Sequence, residues 1–89
     1  MKGYYEIQLS SSAVRQIRAV HAAEPMAATF VLNCLEYLST DLDSGLLRTI
    51  DKEAGLLKAE IGDFEALCWV RHEEMSLVIL TVSRSRHPA

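Results

Sequence analysis

The sequence predicts an α+β domain: one strand, a helical hairpin, then an antiparallel three-stranded meander with the helices packed on one face of the sheet. Three observations carry this reading. Apolar and polar residues alternate from Tyr5 to Leu9, two stretches of helical periodicity flank Glu24-Pro25, and beyond Gly45 the chain becomes short apolar segments separated by turns.

In the first segment Tyr5, Ile7 and Leu9 alternate with Glu6 and Gln8, the period of a strand with one buried face. The serines at 10 to 12 end it, and Ser11 or Ser12 is placed to cap the following helix. Ala13, Ile17 and Val20 then fall on one helical face, with Arg15 and Arg18 elsewhere. Pro25 disfavours helical geometry at Glu24 and suits the first turn of a new helix, so the first helix is expected to stop near Ala22. In the second helix Met26, Phe30, Cys34 and Tyr37 form one row beside Ala27, Val31, Leu35 and Leu38, a wide apolar stripe expected to pack on the sheet. Leu46 to Ile50 reads as either a loop or a short strand. Leu56 to Ile61, Phe64 to Arg71 and Ser76 to Ser83 read as strands, joined by a tight turn at Gly62-Asp63 and another from His72 to Met75. No repeat, low-complexity tract or linker interrupts the chain, so residues 1–89 are expected to form a single domain.

Bulk properties narrow the function. A net charge of −3 argues against nucleic-acid binding through a broad basic surface, which needs clustered Lys and Arg. The best local basic patch is the end of the chain, where Arg84, Arg86 and His87 follow the last acid, Glu74. That cluster also reads as a charged, frayed tail. With 49% hydrophobic residues in 89, a small core is expected to leave apolar side chains for a partner to cover. Cys34 and Cys68 sit among apolar neighbours and read as buried thiols of a reducing compartment, ahead of a disulfide. Neither a signal peptide nor a membrane span is legible, so the expected location is the cytoplasm, with no membrane partner. The three histidines are scattered, no glycine-rich phosphate loop or nucleophile motif is present, and neither metal nor cofactor is expected.

The order of elements, the segment from Leu57 to Leu67 with its Gly62-Asp63-Phe64 turn, and the ending from Val78 to Arg84 together resemble the RelE/ParE toxin superfamily. The opening Tyr5 to Ser10, followed by a helix carrying Ala13 and Arg15, is similar to that family too. The resemblance implies a small cytoplasmic toxin of a type II toxin–antitoxin module, neutralised by a cognate antitoxin protein. For a branch that cuts messenger RNA on the ribosome it implies catalytic roles for Lys58, Arg84 and His87. These would supply cations for the charge developing on phosphate and an acid for the leaving oxygen. The family's usual Arg after the turn aromatic is Glu65 here, and Glu60 adds a second carboxylate. That substitution favours the ParE-like branch, which acts by binding DNA gyrase. The alternatives are a ribosome-dependent endoribonuclease and a non-toxic binding module on the same scaffold, with a homodimer left open.

Alternation puts Glu65, Leu67 and Trp69 on one face of their strand and Lys58 and Glu60 on one face of the next. Glu60, Glu65, Leu67, Trp69 and Arg86 are the expected partner-binding residues, and the acids predict Lys or Arg in whatever contacts them. The same residues also read as an exposed cross-strand charge pair beside a tryptophan that packs on its hairpin.

Overall fold

A computed structural model describes residues 5–40, 42 and 47–85. They form β1 (Glu6–Leu9), α1 (Ser11–Ala23), α2 (Pro25–Thr40), β2 (Leu47–Asp51), β3 (Leu56–Ile61), β4 (Phe64–Arg71), a short 3₁₀ turn (His72–Glu74) and β5 (Ser76–Arg84). One five-stranded sheet runs in the order β1-β5-β4-β3-β2. The meander therefore has four strands, not three, because the ambiguous stretch around Leu47 pairs antiparallel with β3. β1 lies parallel to β5 at the opposite edge, which the helical hairpin between β1 and β2 makes sterically accessible.

The α1 cap is Ser10 rather than Ser11 or Ser12, which lie inside the helix. Its hydroxyl accepts the Ala13 N–H at 3.0 Å and donates to the Leu80 carbonyl at 2.6 Å. The reason is the length mismatch between β1 and β5. β1 reaches only as far as Ile79, so the later part of β5 lacks a strand on that side. α1 fills the gap: the Ser10 N–H donates to the Ile79 carbonyl, and Gln16 Oε1 accepts the Val82 N–H at 2.6 Å. Leu80 is the extra residue of a bulge, since Leu67 pairs with Thr81 and Cys68 with Ile79.

The helices meet at Glu24, whose backbone (φ −143°, ψ 80°) leaves the helical region, as a residue before proline tends to. Its N–H closes α1 onto Val20, and its carbonyl accepts the Ala27 and Ala28 N–H groups that open α2. Ala13 and Ile17 of α1 and Ala28, Val31, Leu35 and Leu38 of α2 pack on Ala59, Ile61, Phe64, Ala66, Cys68, Leu77, Ile79 and Val82 of the sheet. The expected second-helix stripe is thus rotated. Met26 (87% exposed), Phe30 and Tyr37 point away from the centre of the core, and Cys34 is half-buried. One α-helical face spans roughly a third of the circumference, and the row from Ala28 to Leu38 already fills it.

Two glycines are required by geometry. Gly62 turns the β3–β4 hairpin at φ +58°, with the Phe30 ring over it, and Gly55 (φ +74°) approaches the Val70 backbone so closely that a Cβ would stand 2.8 Å from its carbonyl oxygen. None of the described helices is long and apolar enough to cross a membrane.

Candidate functional site

The helices cover one side of the sheet and leave the other open. Antiparallel register places Lys58 opposite Leu67, Glu60 opposite Glu65, and Leu56 opposite Trp69. The faces read from alternation therefore coincide. Arg48, on the strand that sequence patterning left ambiguous, stands directly opposite Lys58.

Directly opposed like charges destabilise a sheet, and this face has two such pairs, Arg48 with Lys58 and Glu60 with Glu65. The diagonals resolve the conflict. Lys58 Nζ lies 3.4 Å from Glu65 Oε2, and an Arg48 guanidinium nitrogen lies 3.9 Å from Glu60 Oε2. The result is a four-residue lattice of alternating sign with no net charge. Beside it Leu67 is half-buried, while Trp69 is 37% exposed and carries the Arg71 guanidinium over its ring, 4.8 Å from the centroid. Arg71 also pairs with Glu74.

Arg84 lies elsewhere. It pairs in register with Phe64, whose side chain enters the core, so Arg84 projects to the helical side of the sheet. Its guanidinium stacks 4.8 Å over the Phe64 ring and forms an ion pair with Glu24 at the helix–helix turn. Of the three residues given catalytic roles by resemblance, Lys58 and Arg84 are thus held on opposite faces, each against its own carboxylate. His87 and Arg86 lie outside the described residues. The sequence offered no signal for the Glu24 contact, which depends on where a long-range turn docks. Arg48 was hidden because its strand is short and mostly exposed, so it shows no buried alternation.

The Tyr5 hydroxyl and His72 Nδ1 hydrogen-bond at 2.6 Å with their rings edge to face, which fastens the start of β1 to the β4–β5 connection. Both cysteines are free; burial pushes the Cys68 thiol up to about 12, leaving it protonated and unreactive near neutrality. Among the described residues no three His, Cys, Asp or Glu side chains cluster as a metal site would need.

This architecture is a RelE/ParE-like toxin fold. The chain superimposes on the toxin–antitoxin complex RelBE2 from Mycobacterium tuberculosis with a TM-score of 0.78 and 22% identity, covering 96% of this chain and 95% of that one. For the YoeB/ParE toxin from Agrobacterium tumefaciens the TM-score is 0.75 at 9% identity, covering 91% and 99% of the two chains. For the intact E. coli RelBE toxin–antitoxin complex it is 0.74 at 9% identity, covering 96% and 100%. No protein-family model and no curated protein sequence matches the chain.

Proposed function

We propose that this chain is the toxin component of a type II toxin–antitoxin module, held inactive by a protein antitoxin and acting by binding a target protein rather than by cutting RNA. DNA gyrase, the ParE-type target, is the one this reading names. The observation that carries it is the separation of Lys58 from Arg84 by the thickness of the sheet, with Glu65 and Glu24 neutralising them in turn. Attack of a ribose hydroxyl on its neighbouring phosphate needs cations converging on one phosphoryl group. Here the nearest carboxylate, Glu65, would instead repel a phosphate at Lys58 by about 1 kcal/mol or more at contact distance. A neutral lattice flanked by Leu67 and an Arg-capped Trp69 has the composition of a protein-docking face, where aromatic and Arg side chains concentrate. The solved structures that share the fold include complexes of a toxin with its antitoxin, which supports a protein partner here.

The test is expression of the chain with and without its neighbouring open reading frame, followed by mapping of RNA ends and a gyrase supercoiling assay. Growth arrest with intact RNA and blocked supercoiling, relieved by the neighbour, is the expected result. Ribosome-phased RNA cuts that vanish in Arg84→Ala would replace this reading with a nuclease, and absence of arrest would leave a binding module.

A further inference from the structure

A second surface lies on the helical side of the β2–β3 end of the sheet and adjoins the open face only where Trp69 and Arg71 reach its rim. α1 and α2 lie over the β1–β5 end of the sheet, so the helical side of β2 and β3 is only partly roofed. There the chain forms an open groove of about 700 Å³. Its floor is aliphatic: Leu42, Leu47, Leu57 and Val70 pack against the core yet remain partly exposed. Its two walls are the β2–β3 turn and the 3₁₀ turn between β4 and β5.

The walls are acidic. Asp51 and Glu53 stand on one, Glu73 and Glu74 on the other, against only Lys52 and Arg71. Arg71 is already engaged by Glu74, and Asp51 accepts the Ala54 N–H to hold its own turn. Glu53 and Glu73 make no ion pair among the described residues and face the same groove from opposite sides. The walls are fixed in place. The Gly55 carbonyl accepts the Val70 N–H, which ties the β2–β3 turn to β4, and the Tyr5–His72 hydrogen bond fastens the other wall to the start of β1.

We infer that this groove binds a cationic amphipathic segment of a protein partner, with aliphatic side chains against Leu47, Leu57 and Val70 and Lys or Arg reaching Glu53 and Glu73. Charge complementarity selects this occupant. A second copy of the chain, with net charge −3, would bring like charge to an acidic rim, and a nucleic acid would be repelled by it. The aliphatic floor supplies contact area that a small cation could not use, and a segment that orders on binding can fill it. The inference takes from the preceding section only that a protein partner exists.

Trp69, the chain's one tryptophan, lines the groove and reports occupancy through its emission. A display library of random twelve-residue segments is panned against the full chain, and the selected peptides are titrated into wild type and into Glu53→Lys/Glu73→Lys. The expected result is enrichment of Lys and Arg around aliphatic residues, saturable change in Trp69 emission, and at least tenfold weaker binding to the double variant. Weakening of the same peptides by added salt is expected as well. The inference is overturned if the library yields no binder, if selected peptides carry no basic excess, or if both proteins bind them within twofold. Circular dichroism of the double variant confirms that it is folded, and Thr49→Arg, which adds charge at the groove without touching either acid, provides a second folded control expected to weaken binding too. Toxicity relieved by the neighbouring gene product, with no groove binding, would remove the groove and leave the toxin reading standing; groove binding without toxicity would do the reverse.

Discussion

The Lys58 ammonium stands 3.4 Å from the Glu65 carboxylate, diagonally across the β3–β4 hairpin on the open face of the sheet. Both side chains are about one-third exposed, 34% and 33%, so solvent screens much of their attraction. Glu65→Gln is therefore expected to change unfolding free energy by less than about 1 kcal/mol in urea titration. The same substitution removes the carboxylate that repels phosphate. It should raise affinity for a short RNA oligonucleotide several-fold at low salt, measured by fluorescence anisotropy, and Glu65→Arg should raise it further. Unchanged RNA affinity in both variants would remove Glu65 as the reason the face excludes phosphate.

Arg84 and Glu24 form the corresponding pair on the helical side, where the guanidinium also covers the Phe64 ring. Both ends are about half exposed, so the coupling energy from a double-mutant cycle of Arg84→Ala and Glu24→Ala should be ~0.5–1 kcal/mol. The expectation that separates this structural role from a catalytic one is the swapped variant, Arg84→Glu with Glu24→Arg. It should recover most of that coupling and leave the growth phenotype unchanged.

The strand boundaries of β3 and β4 were legible because period-two alternation and Gly62-Asp63 specify a hairpin, and the faces shared by Lys58, Glu60, Glu65, Leu67 and Trp69 followed from the same period. β2 was not, because a five-residue edge strand with mostly exposed side chains has no buried alternation to display. The rotation of α2 was hidden for the opposite reason. Its apolar residues cover more than one face, and only tertiary packing into the shared core decides which row is buried. The cap was expected at Ser11 or Ser12 rather than at Ser10 because the bond that fixes Ser10, to Leu80, spans 70 positions of sequence.

Ser10 is accordingly a sensitive position. Ser10→Ala leaves the Ala13 N–H and the Leu80 carbonyl without their side-chain partner at a part-buried junction. The expected cost is ~1–2 kcal/mol by chemical denaturation, with Ser10→Asp restoring the cap but not the donation to Leu80 and falling between the two.

The two positive-φ glycines should differ. Alanine at Gly62 meets the edge of the Phe30 ring at 3.2 Å, and that ring is half exposed and able to shift, so a loss of about 1 kcal/mol is expected. Alanine at Gly55 meets a backbone oxygen at 2.8 Å that is tied into β4. A loss of about 2 kcal/mol or more should appear there in thermal unfolding, and an equal effect at the two sites would contradict the assigned geometry.

Cys68 supplies a pH dependence whose sign is fixed. Burial raises its folded-state value from 9.0 to about 12, so the unfolded chain loses the thiol proton before the folded chain does. The contribution is fully present below about pH 9 and is lost as pH climbs from there toward 12, at up to ~1.4 kcal/mol per unit. The measurement is the difference between wild type and Cys68→Ala, which isolates this one thiol. The gap between their unfolding free energies should be constant below pH 8.5 and shift against wild type above it. Thiol labelling gives the independent check: at pH 8 the half-buried Cys34 reacts with an alkylating reagent while Cys68 does so only in denaturant, because a thiol held protonated under the helices offers neither thiolate nor access.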